Sequence, residues 1–130
     1  MLHQDYFIRV LREFFDALAR AMQKERLEDK SQAVHKLYEQ YLGEYEFWQN
    51  ASIEDTMERL ALYPEEERLS KMEMLAELYY VEADFRAKPF SDILLERALT
   101  LFEYLDLHSG TFSISRRMKV DAIRFRLRKS

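Results

Sequence analysis

The chain has no cysteine, and that absence removes disulfide staples, thiolate metal sites and cysteine nucleophiles together. It suits a reducing compartment, so the cytoplasm is the expected location. Glycine and proline are scarce, with two of each. Gly43 and Gly110 lie far apart without neighbouring glycines, so no phosphate-cradling loop can be assembled from them. No run of about 18 apolar residues occurs, which excludes a membrane-spanning helix on length and desolvation cost. Asp5, Arg9, Arg12, Glu13 and Asp16 interrupt every apolar stretch near the amino terminus, leaving no signal-peptide core. His3, His35 and His108 are not spaced i,i+4, and no Glu-x-x-His pair of the di-iron bundle kind occurs. No metal and no cofactor are therefore expected.

What the chain does have is apolar and aromatic material, 48% and 14% of its 130 residues, enough to exclude the disordered class and to build one core. A single all-helical domain spanning 1–130 follows, because long apolar residues recur at spacings of three and four. Phe7, Leu11, Phe14, Leu18 and Ala21 mark a first helix over 4–25. Val34, Leu37, Tyr38, Tyr41, Tyr45 and Trp48 mark a second over 31–48, with Ser31 as its N-cap. Ser52 and Asp55 have capping-box spacing and open a short third helix to Leu62. Pro64 and Glu65 to Glu67 open a fourth, reaching Ala87, with apolar stripes on two sides. Ser91, stapled by Phe90 and Leu95, opens a fifth that Gly110 stops. The last segment, 113–128, reads as a helix in this context, although Ile123 to Arg128 also alternates with the period of a strand. The fold class is thus all-α, about six helices in antiparallel hairpins, forming a short solenoid or an irregular bundle centred on the fourth helix. Leu78, Tyr79, Ala98 and Phe102 should be buried.

Two features have both a structural and a functional reading. Tyr38, Tyr41, Tyr45 and Trp48 form an aromatic stripe that suits a core edge or, exposed on a concave face, a partner-binding groove. Residues 112–130 hold seven basic residues against Asp121, a net charge of +6, which leaves −10 on residues 1–111 and −4 overall. The basic segment either folds back onto the acidic helices or offers Arg117, Arg124 and Arg128 to an anionic partner, a nucleic acid or an acidic protein. Its helical phases put Ile114, Met118, Ala122 and Phe125 on one side and Val120, Ile123 and Leu127 on nearly the opposite one. One side can face the body and the other needs a second cover, so the helix either lies sandwiched within the fold or, the favoured alternative, makes a homodimer contact through Val120, Ile123 and Leu127, set against an acidic surface of the partner copy.

Met72, Leu75, Ala76 and Tyr79 fall at the spacing of the first-helix Trp, Leu, Gly and Tyr of tetratricopeptide repeats, and Ala98, Phe102 and Leu105 resemble the second-helix Ala, Phe and Ala. The intervening distance is about ten residues too long for a true repeat. The resemblance implies a tetratricopeptide-like hairpin with extended helices. The segment from Leu94 to Ser113 also resembles a stretch of small uncharacterised bacterial helical proteins, which brings no activity with it.

No catalytic residues are nominated, because the carboxylates sit at helix starts and on polar faces, and His108 suits a helix C-terminus. The functional expectation is a non-enzymatic protein–protein interaction module. Anionic-partner binding through the basic last helix is the alternative, with nucleic acid behind an acidic protein. An enzyme would need a histidine and a carboxylate converging in a deep pocket.

Overall fold

The computed structural model describes residues 2–129, with side chains from Asp5 onward; His3 lies outside the described side chains. Seven α-helices and one 3-10 turn account for the regular structure of the described residues. The chain divides into two compact units, residues 1–75 and 76–130.

The first unit contains α1 (Leu2–Met22), α2 (Leu27–Tyr41), α3 (Tyr45–Asn50), α4 (Ile53–Leu60) and the opening turns of α5 (Glu65–Glu82). α1 and α2 pack as a hairpin. The seam foreseen for the first helix is the one that buries Phe14, Leu18 and Ala21, and Phe14 meets Tyr41 edge-on at 5.3 Å. Ser52 caps α4 by accepting a hydrogen bond from the Asp55 amide at 3.0 Å, as its spacing foretold. Ser31 caps nothing: α2 begins four residues earlier, at Leu27, with Arg26 in the cap position.

The single helix expected over 31–48 is broken in two, and this break supplies the seventh helix. Gly43 adopts a φ of +83°, which a side chain would strain, and its amide and that of Leu42 both donate to the Tyr38 carbonyl, at 3.0 and 2.8 Å. The later carbonyls find side-chain donors. Lys71 Nζ donates to Tyr41 O at 2.7 Å, and Trp48 Nε1 and Tyr63 Oη donate to Leu42 O at 3.2 and 3.4 Å. In an unbroken helix Trp48 would sit about 280° round from Tyr38, off the core stripe. The break turns the indole back onto the end of α2, where it is fully buried.

The second unit contains the remainder of α5, a 3-10 turn at Ala83–Phe85, α6 (Phe90–His108) and α7 (Ile114–Arg128). Leu78, Tyr79, Ala98 and Phe102 are all fully buried, as the stripes required. α6 begins at Phe90, so Ser91 is buried inside its first turn; Phe90 is exposed and staples nothing to buried Leu95. Gly110, at φ +74°, ends the connection after α6. Ser113 then caps α7, accepting from the Arg116 amide at 3.1 Å. The last segment is a helix: Ile123 is buried while Phe125 two residues on is exposed, which a strand's alternation would not allow.

Candidate interaction surface

Acidic side chains of α5, α6 and the 3-10 turn decide how α7 is seated. Arg116 is buried, with Nε 2.6 Å from Asp106 Oδ1 and Nη2 donating to Thr111 O at 2.9 Å. Lys119 Nζ reaches both carboxylate oxygens of buried Glu77, at 2.7 and 2.8 Å. Arg126 Nη1 lies 3.0 Å from Asp84 Oδ1, and Arg124 pairs with Glu103. Burial pushes the Glu77 carboxyl above the usual range, while the charges of Lys119 and Arg116 hold it part-way down. Burial, with the nearby Asp84 carboxylate, likewise raises the Tyr80 phenol.

These four cations flank one face of α7, the face carrying Val120, Ile123 and Leu127. Pairing them turns that face inward. Val120 and Ile123 are buried within the second unit and Leu127 is half-buried, so the expected dimer contact is corrected: this row packs inside its own chain. The opposite row faces out. Phe112 is 81% exposed, Ile114 68%, Met118 67% and Phe125 53%. Three large apolar side chains along one side of α7, with Phe112 exposed in the segment just before it, exceed the scattered hydrophobes of an ordinary surface. A cavity of about 410 Å³ lined by Asp106, Gly110, Thr111, Phe112 and Arg117 adjoins one end of the row.

The same pairing divides the proposed basic patch. Arg124 is taken up by Glu103, whereas Arg117 and Arg128 are exposed and make no ion pair among the described residues. Lys129 Nζ lies over the Phe125 ring at 4.8 Å. Asp121, also exposed and unpaired, is the acid beside them.

The aromatic stripe does not form one exposed groove. Tyr38 and Trp48 are fully buried and belong to the core, because the indole closes the end of α2 and the Tyr38 carbonyl is the hinge of that closure. Tyr41 is half-buried, its phenol pushed up by burial and by Glu13 against the opposing charge of Arg20. Tyr45 is half-buried and stacks on His35 at 3.9 Å. Sequence reasoning missed Lys71, which closes the end of α2 from 30 residues away; burial lowers its ammonium pKa. It also missed the buried pairs of Glu77 and Arg116, whose signal was only a charged residue on an apolar helix phase.

His35 Nε2 lies 3.7 Å from Glu39 Oε2, with both side chains half-exposed on α2, and His108 stacks on Tyr104. Among the described residues no group of three His, Asp or Glu side chains is placed to hold a metal ion, and no helix is long and apolar enough to cross a membrane. No protein-family model, curated protein or solved structure matches the chain.

Proposed function

We propose that this chain is a non-enzymatic helical interaction module that binds protein through the outward row of α7. The observation that carries the reading is the exposed row of Ile114, Met118 and Phe125, on the side of the helix away from its ion pairs, with Phe112 exposed just before the helix. Apolar anchors with a charged rim are the anatomy of a protein contact. The cysteine-free composition supports a cytoplasmic setting. Tetratricopeptide-like hairpins would require Met72, Leu75, Ala76, Tyr79, Ala98, Phe102 and Leu105 to be buried, and each of them is.

The anionic-partner reading keeps Arg117, Arg128 and Lys129. Three cations beside apolar anchors suit the rim of an acidic protein better than a nucleic acid, whose salt-dependent affinity rises with each phosphate neutralised. A photo-crosslinking residue at Met118, in the source cell, tests the reading. Protein adducts should form there, be absent from the same group at exposed Leu62, and vanish with Phe125→Asp. Equal labelling from both positions would refute it.

A further inference from the structure

We infer that the outward row of α7 pairs with the same row of a second copy, the two helices antiparallel about a two-fold axis. The inference rests on the interaction-module reading and names the partner. Ile114, Met118, Asp121, Phe125 and Arg128 follow one another at spacings of 4, 3, 4 and 3, the period of a helix-pairing seam. Placing the axis between Met118 and Asp121 sets Ile114 against the partner's Phe125 and Phe125 against the partner's Ile114. These two anchors are about 16 Å apart along the helix.

The flanks of the seam complement themselves. Arg117 lies on the flank next to Asp121 of the seam, both exposed and without an ion pair among the described residues. In antiparallel helices like flanks meet, so each Arg117 comes beside the partner's Asp121. A parallel pair would instead bring unlike flanks together and set Arg117 beside the partner's Ser115 and Ala122, leaving it without a carboxylate. The other flank holds Ser115 and Ala122, small enough for the helices to approach closely. At the ends, Arg128 reaches the partner's Phe112 ring, a favourable cation–π partner.

The repulsion expected between two arginine-rich helices is mostly absent, because Arg116, Lys119, Arg124 and Arg126 are already matched by carboxylates of their own chain. The area suffices. At the stated exposures the four apolar residues offer roughly 500 Å² per copy, so pairing buries about 1,000 Å², the threshold of a specific interface.

Sedimentation of the purified full chain from about 1 to 200 µM reads the association directly. A concentration-dependent dimer is expected. Phe125→Asp and, separately, Met118→Asp, which sets a second carboxylate against the partner's Asp121, should weaken it about 100-fold with unchanged circular dichroism, since both side chains are exposed. Arg117→Asp should weaken it about tenfold, and Arg117→Asp combined with Asp121→Arg should restore it to within about threefold. A monomer throughout the range, a dimer indifferent to Phe125→Asp, or a charge swap that restores nothing overturns the inference. If the chain is monomeric yet the crosslinker at Met118 captures other proteins, the self-pairing fails and the module reading stands; a monomer without such capture sinks both.

Discussion

Replacing Lys119 by Met tests whether the Glu77–Lys119 pair is what seats α7. Glu77 is buried, and its carboxylate takes both close contacts from the Lys119 ammonium. Removing the cation leaves a buried charge without its partner, which costs about 3–5 kcal/mol for a fully enclosed pair. The Lys119 side chain is 23% exposed, so water reaches the site and about 2–4 kcal/mol is the reasonable expectation. The loss depends on pH in a definite direction. Burial places the folded-state pKa of Glu77 above its ordinary 4.5. Its contribution to stability is therefore fully present below 4.5 and lost as the pH rises through the folded value. Without Lys119 that folded value climbs further, so the variant's deficit should be small near about pH 4 and full at neutrality.

Urea unfolding followed by circular dichroism measures this. At neutral pH the midpoint should fall by about 2 M, taking a slope of about 1.5 kcal/mol per M. Adding Glu77→Gln to Lys119→Met should recover much of the loss, because a neutral amide carries no uncompensated charge. A deficit below about 0.5 kcal/mol at neutral pH, or an equal deficit at about pH 4, would show that the pair does not work through charge burial.

Three further outcomes follow from the same geometry. Measured at a chain concentration low enough to keep it monomeric, Ile123→Asp, at a fully buried position, should cost more than about 3 kcal/mol, whereas Ile114→Asp, on the exposed row, should stay within about 0.5 kcal/mol; similar midpoints for the two would reverse the assigned faces. Gly43→Ala should lower stability by about 1–2 kcal/mol through backbone strain alone, since a Cβ there meets no atom within 4 Å, and an unchanged midpoint would contradict the positive φ. Trp48, the lone tryptophan, should emit in the blue, resist acrylamide quenching and shift red only on unfolding; ready quenching in the native state would place the indole at the surface.

Helix positions were legible in the sequence because they depend on local spacing. The stripe through Phe14 and Leu18, the Ser52 cap, the Gly110 stop and the burial of Leu78, Tyr79, Ala98 and Phe102 are all readable within a few turns of chain. The division of 31–48 at Gly43 was not, because the donors that close α2 include Lys71, 30 residues beyond the carbonyl it meets. A lone glycine inside an apolar-periodic stretch does not reveal whether such a donor will arrive.

For α7 the sequence determined that two opposite apolar rows exist, but not which one faces in. Val120, Ile123 and Leu127 bury no more hydrophobic surface in principle than Ile114, Met118 and Phe125, so hydrophobicity alone leaves the choice open. The tertiary structure decided it by charge. Lys119 meets Glu77 and Arg126 meets Asp84, each 42 residues away, while Arg124 meets Glu103 and Arg116 meets Asp106. The rotation that makes these pairs, two of them on the buried Glu77 and Arg116, leaves Ile114, Met118 and Phe125 in water.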